Sequence, residues 1–322
     1  MLCGLLVITF IISHVAPVDP AGLAAGPDAT AEMIAKVREE FSLDKPLWHQ
    51  FIIYISGILA GDWGRSILST KPVWEDIGVF LPATIELVAV AIILAIVVGV
   101  PLGVLSAVFK NKPLDHGIRI FAVSGVAVPM FWLGLMLQWF FGLMLGWFPL
   151  TGRLSMMTYI PDPITHLIVV DALLRGQTDT FFEALQFMAL PALTLSFPAL
   201  ASVIRVNRAE MLETLNKDYI INARAQGLSN FRIIGAYALK NAMLPTMAMI
   251  GLRFGWMLGG TVLVESVFNW PGIGLYAVEA AINSDFEPIM AATLLMGFMF
   301  MAVNFLIDIL YGVLDPRVRQ QI

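Results

Sequence analysis

The chain is poor in almost everything a soluble enzyme or a metalloprotein needs. It has one cysteine, Cys3, among 322 residues, which excludes an internal disulfide and any multi-cysteine metal centre. Its four histidines, His14, His49, His116 and His166, are scattered and form no ligand spacing. No G-x-x-x-x-G-K-[ST] phosphate loop occurs, so the chain does not carry nucleotide hydrolysis itself. No nucleophile–base arrangement stands out either, and isolated Ser or Asp residues carry no catalytic signal. Charge is scarcest of all: only 13% of residues are Asp, Glu, Lys or Arg, against about 25% in average soluble domains. What fills the chain instead is apolar material, 58% of the residues, with a mean hydropathy of +0.82. No soluble core needs that much, and the bilayer is the natural solvent.

Six apolar stretches are expected to cross it, at 1–15, 83–108, 118–147, 184–204, 243–264 and 289–313. A spanning helix needs about 20 mostly apolar residues, and all but the first satisfy this. Glycine and proline within them do not argue against helix, because packed membrane helices tolerate both. The first stretch is short and has no basic residue before it. A secretory signal with Leu23-Ala24-Ala25-Gly26 as its cleavage region is one reading. It lacks the positive n-region, and a start placed too far downstream, or a truncated chain, fits better.

Charge orients the spans. With the N-terminus inside, segments 109–117, 205–242 and 314–322, extended to Arg119, hold eleven basic residues against five acidic ones. Segments 16–82, 148–183 and 265–288 hold seven basic against seventeen acidic, and 265–288 has no Lys or Arg at all. Basic residues near span ends mark the cytoplasmic side, so the N-terminus is expected in the cytoplasm. Segment 16–82 reads as a small exterior cap, with a helix capped by Asp28 or Thr30 and a second amphipathic piece through Trp48, Phe51, Ile52 and Ile55. That piece should end near Gly61-Asp62-Trp63-Gly64. Segment 148–183, with Pro161-Asp162-Pro163, reads as a loop with one short helix.

Only Glu86, Arg253 and Asp308 fall inside the spans. Such charges are rare in membranes and mark pathways or paired sites. For Glu86 and Asp308 the plainer alternative is snorkelling to the nearest interface. Arg253 lies deeper and is left with an ion pair to Glu86 or Asp308, or a water-filled cavity. Trp256, Met257 and Gly260 share its face and, with Glu86, make up the candidate translocation path. Gly251, Gly255 and Gly259 recur every four residues nearly opposite. Such a small-residue stripe allows close helix approach. It is expected to meet another helix, more readily one of a second subunit.

The most informative cytoplasmic segment is 205–242. Asp218 can cap a short helix through Tyr219, Ile220 and Ala223 to Gln226, and Gly227 supplies a left-handed residue to end it. Ser229 offers a new cap to a second short helix carrying Phe231, Ile234, Ala238 and Leu239. Pro245 then falls near the start of the fifth span, where a missing N–H matters least. Helices this short are marginal without tertiary contacts, so the knuckle must dock, on its own helix ends or on a partner.

Residues 218–228, Asp-Tyr-Ile-Ile-Asn-Ala-Arg-Ala-Gln-Gly-Leu, and 238–245, Ala-Leu-Lys-Asn-Ala-Met-Leu-Pro, resemble the coupling loop of ABC importer permeases, closest to the dipeptide/oligopeptide group. Further likenesses follow in order along nearly the whole chain: 42–48, 61–66, 81–87, 128–132, 268–274 and 315–319. Ile221-Asn222-Ala223 stands where many permeases have Glu-Ala-Ala, as it commonly does in the peptide group. The missing basic residues and short first helix depart from the family and favour the truncated start.

The resemblance implies an all-α integral membrane protein with six transmembrane helices in the type I ABC importer permease fold. It places the chain in the bacterial inner membrane as one permease domain over 1–322. It also implies a paralogous second permease subunit, two cytoplasmic ABC ATPase subunits and a periplasmic substrate-binding protein. ATP and Mg would be used by the ATPases, with no cofactor on this chain. Tyr219, Ala223, Arg224, Ala225, Gly227, Leu228 and Pro245 become the candidate ATPase-coupling residues. Short peptides are the implied substrate, with nickel, glutathione, opines, murein peptides or saccharides as alternatives within the same group. A membrane-embedded enzyme would need paired catalytic residues at one depth, and a secondary transporter often shows repeated halves. Neither feature is evident.

Overall fold

The computed structural model describes residues 2–15, 22, 29–40, 44–155, 157–158 and 163–314. Asp28, Pro161, Asp162 and the 315–319 motif lie outside these residues. Helix dominates, and among the described residues the β pairing is one isolated antiparallel bridge between Arg65 and Pro72. Among the described residues four helices are long and apolar enough to span a membrane: Val73–Val108, Thr178–Leu215, Asn230–Phe268 and Phe286–Ile307. The last continues as helix to Leu314. At 36 residues Val73–Val108 is about 54 Å long, well beyond the roughly 30 Å hydrocarbon core. The apolar stretch 83–108 is therefore only its inner part. Glu75 and Asp76 begin the helix, where carboxylates suit the positive end of the helix dipole.

Three expectations change. The stretch 118–147 is not one straight span but two helices, Pro113–Ala127 and Met130–Met144, bent by 111°. Pro129 cannot donate to the ladder, and it holds Val128 extended at φ −85, ψ 125, as the residue before proline prefers. Counting the pair as one span gives five spans; the helix Leu2–Val15 has only 14 residues. Second, the helix after Gly227 is not short. It runs unbroken from Asn230 to Phe268 through a π-helical stretch at Ile233–Leu239. Third, Pro245 consequently lies inside this helix rather than near its start.

The chain divides into two compact units. The first comprises residues up to Thr84 together with Pro271–Met299. Here Phe10 of the first helix packs edge-on against Phe51 and tilted against Tyr54, with centroids 5.0 and 6.0 Å apart. The helix Ala31–Glu40 is capped by Thr30, whose hydroxyl accepts the Met33 N–H at 3.4 Å. The helix Leu47–Ala60 ends at Gly61, φ 85, where the Gly61 and Asp62 N–H groups return to Ile58 and Gly57 carbonyls. That is the double closure a left-handed C-terminal glycine permits.

The second unit comprises Ile85–Trp270 and the residues from Phe300 onward. Thr178–Leu215 is its central helix and packs on Asn230–Phe268 and Pro113–Ala127. Close approach is built on small residues: a Cβ on Gly125 would lie 2.7 Å from the Ala201 Cβ, and one on Gly103 2.8 Å from Asn207 Oδ1. In the loop that leads to this helix, a short helix Ile168–Leu174 carries Asp171. Burial disfavours the Asp171 charge, yet the Thr165 hydroxyl and the Ile164, Thr165 and His166 N–H groups hold its carboxyl below its ordinary value.

The candidate coupling elbow and the embedded charges

The elbow begins where the helix Thr178–Leu215 stops. Lys217, extended at φ −76, ψ 149, occupies the cap position of the helix Asp218–Ala225 without a side-chain cap bond. Asp218 is thus the first helical residue rather than the cap, where its charge still faces the positive helix end. At the other end Gly227 has φ +77. Its N–H bonds the Arg224 carbonyl at 3.0 Å, and the Leu228 N–H bonds that of Ala223 at 3.2 Å. Ser229 is extended and opens the next helix, again without a side-chain cap bond.

The elbow is seated on its own helix ends. Ile220, Ala223, Met211, Ile233, Ala238, Ala242 and Ala107 form a buried cluster, with Leu228 partly packed on it. Of the candidate coupling residues, Tyr219, Arg224, Ala225 and Gly227 are exposed, Leu228 and Pro245 are half-buried, and Ala223 is buried. Ala223 therefore anchors the elbow from beneath. Phe231 is the opposite case. It reads as part of an apolar helix stripe, yet it is 90% exposed, and Ile221 and Tyr219 of the preceding helix are exposed too. The Tyr219 hydroxyl accepts a hydrogen bond from the Asn241 amide at 3.1 Å.

Below the elbow lies a network that charge counting treats as loop charge. Asp115 is fully buried. Its two oxygens accept Arg208 Nε–H and Nη2–H at 2.8 Å each, the Ser106 hydroxyl at 2.5 Å and the Asn111 N–H at 2.9 Å. This fixes the inner end of the central helix to the turn at Asn111, itself at φ 61.

Among the described residues Glu86 and Arg253 do not meet. Glu86, 4% exposed, neither snorkels nor meets Arg253: it is ion-paired to Arg153 and accepts the Val169 N–H at 2.6 Å. Arg153 also lies 5.4 Å over the Trp270 ring. Glu86 so ties Arg153 and Val169 to its helix. Arg253 is half-buried, has no carboxylate partner among the described residues, and is near enough to Arg205 for the two to repel. The Asp308 side chain lies outside the described residues. The face shared with Arg253 divides. Met257 is buried, a Cβ on Gly260 would meet Met130 at 3.1 Å, and Trp256 is 74% exposed. At two of its three positions the glycine stripe meets the chain's own last helix: added Cβ atoms would lie 2.7 Å from Ile307 at Gly251 and 2.3 Å from Phe300 at Gly255. At Gly259 nothing lies within 4 Å. Among the described residues no cluster of His, Cys, Asp or Glu fit for a metal occurs.

Long apolar helices joined through an exposed elbow define a multi-pass membrane protein. The chain belongs to the binding-protein-dependent transport system inner membrane component family, matched over residues 99–320, and residues 1–88 match that system's N-terminal membrane component. Among its relatives is "Probable D,D-dipeptide transport system permease protein DdpB" of Escherichia coli K12, 44% identical over 99% of this chain and 94% of the relative. The dipeptide transport system permease protein DppB of the same strain is 39% identical over 99% of this chain and 95% of its own. The glutathione transport system permease protein GsiC, again of K12, is 36% identical over 97% and 93%. A chain of the MetNI methionine ABC transporter shares the fold, with TM-score 0.54 at 16% identity over 76% of this chain and 94% of that one.

Proposed function

We propose that this chain is the permease subunit through which a bacterial ABC importer takes up short peptides. The observation that carries the reading is near-full-length identity of 36–44% to permeases named for dipeptide or di/tripeptide transport. In this reading a paralogous permease completes the translocation path, a soluble binding protein delivers substrate, and two ATPases hydrolyse ATP with Mg. The elbow is the mechanical contact. Tyr219, Arg224, Ala225 and Gly227 present its exposed side to the ATPase, and buried Ala223 and Ile220 pass the displacement to the helix ends beneath. Packed cores respond to such a push as units, because interiors are close-packed.

Arg253, with Arg205 and exposed Trp256, is our candidate for the path surface. A guanidinium recognises carboxylates, and a peptide ends in one. The whole complex, purified with its partner subunits and reconstituted in vesicles, should accumulate a labelled dipeptide only with ATP and binding protein. Uptake competed by glutathione or nickel but not by dipeptides would overturn the substrate class. Arg253→Gln should leave assembly intact and reduce uptake of dipeptides relative to peptides amidated at the C-terminus. Equal loss for both would remove Arg253 from carboxylate recognition.

A further inference from the structure

Asp285, between the helices Ile273–Ile282 and Phe286–Leu314 in the first unit, is fully buried and unevenly used. Its Oδ2 accepts the Ser66 hydroxyl at 2.7 Å and the Ile67 and Leu68 N–H groups at 2.8 and 3.2 Å. Its Oδ1 is buried and accepts no hydrogen bond from the described residues. Beside it Asp76, also buried, takes the Ser69 and Tyr276 hydroxyls on one oxygen, at 2.6 and 3.0 Å. Both carboxylates line a cavity of about 260 Å³ together with Glu279, and no Lys, Arg or His lines it. A buried carboxylate oxygen without a donor loses its hydration uncompensated. Three carboxylates on one cavity multiply the need for a cation.

The cavity selects among cations. The described residues hold no three-ligand group for a metal ion. The volume is several times the roughly 30 Å³ share of one water, more than a bare ion fills. Its walls are partly apolar, with Leu68, Phe80 and Pro288. Phe80 stacks on Tyr276 with centroids 4.9 Å apart and planes 20° from parallel. Apolar walls leading to carboxylates and ring faces match an alkyl chain that ends in an ammonium.

We propose that this cavity receives a lysine side chain of the soluble binding protein. Its ammonium would donate to Asp76, with Glu279 at the rim, and its charge would offset that of the buried Asp285 beside them. This rests on the importer reading. The segments that charge places outside hold seventeen acidic residues against seven basic, so the complementary partner surface is basic.

The test uses the whole complex in nanodiscs with two probes, n-butylammonium and tetramethylammonium, equal in charge but only the first a hydrogen-bond donor. Butylammonium should slow amide hydrogen exchange in segment 66–69, and tetramethylammonium should not. Asp76→Asn and Glu279→Gln should each weaken that protection about tenfold, the loss of one charge-assisted bond. The exposed Glu279 position keeps the comparison valid should Asp76→Asn misfold. Equal protection by both probes, or by neither, overturns the ammonium site. Binding protein with acetylated lysines, and both variants, should also dock about tenfold more weakly. Butylammonium protection with unchanged docking overturns the lysine occupant. Failure of the wild-type complex to import peptides would overturn the substrate reading without touching the probe result.

Discussion

The buried pair under the elbow offers a measurable test of how the central helix is held. Arg208→Met keeps an unbranched apolar stem without the guanidinium and leaves Asp115 with its charge buried and only the Ser106 hydroxyl and Asn111 N–H as donors. Removing one partner of a buried ion pair costs about 3–5 kcal/mol, because the remaining charge is uncompensated. Arg208 retains 20% side-chain exposure, so water screens part of that charge and the lower end, about 3 kcal/mol, is the expected loss. Adding Asp115→Asn to Arg208→Met removes the stranded charge. The double variant should therefore recover part of the loss, with a coupling energy of about 1–3 kcal/mol. Denaturant titration of the subunit in micelles, followed by helix signal, gives all four corners of the cycle. The exposed i,i+4 pair Lys217–Glu213, 3.2 Å apart, is the internal control, and Glu213→Gln should change nothing measurable. If Arg208→Met costs no more than that control, or the double variant is as damaged as the sum of its parts, the network is not what fixes the helix end.

Gly227→Asp should insert and fold, since nothing lies within 4 Å of an added Cβ and positive φ costs a non-glycine residue only about 1–2 kcal/mol, yet lose ATP-driven uptake. Normal uptake would refute its seat in the ATPase contact. Gly255→Ala drives a Cβ to 2.3 Å from the Phe300 ring and should destabilise by about 1–3 kcal/mol. Gly259→Ala, with open space around it, should not, and a thermal-shift comparison in micelles separates the two. Asp171 has a folded pKa below its ordinary value. Its contribution is therefore fully present above about pH 4 and is lost as pH falls through the lower folded value. Protection factors of the Ile164 and Thr165 amides should hold at neutral pH and fall only in that acid window, and Asp171→Asn should abolish the pH dependence.

Local devices were the most legible features in the sequence. Gly227 after a short helix and Ser229 before the next announce a left-handed stop and a restart, because a backbone without Cβ is the cheap way to make that turn. The glycine stripe was legible as geometry, but its partner was not: spacing defines a face and says nothing about which helix covers it. The same limit explains the charges. Positive-inside counting assigns residues to a side of the membrane, whereas Glu86 finds Arg153 67 residues away and Asp115 finds Arg208 93 residues away, through tertiary packing. Prolines were ambiguous for a related reason. Pro191, Pro198 and Pro245 sit inside continuous helix, as membrane helices allow, but Pro129 breaks one, and the residue types alone do not separate these cases. Phe231 misled because an apolar residue at helical spacing normally points inward.

The fate of the arginines in the second unit bears on the proposed path surface. Arg153 and Arg208 are both committed to buried carboxylates, and each such pairing anchors a loop or a helix end. Arg205 lies one turn before Arg208 on the same helix yet is exposed, and Arg253 on the neighbouring helix is close enough to be repelled by it. Like charges repel, and a deep arginine facing lipid costs about 2.5–3.5 kcal/mol even on the lenient scale. Water or an anion reaching both would relieve that repulsion, as the proposed path surface requires. If neither guanidinium served a solvated surface, replacing one by a neutral residue would relieve repulsion at no functional cost. That is why uptake of carboxylate-terminated and amidated peptides by Arg253→Gln, rather than stability, is the informative measurement.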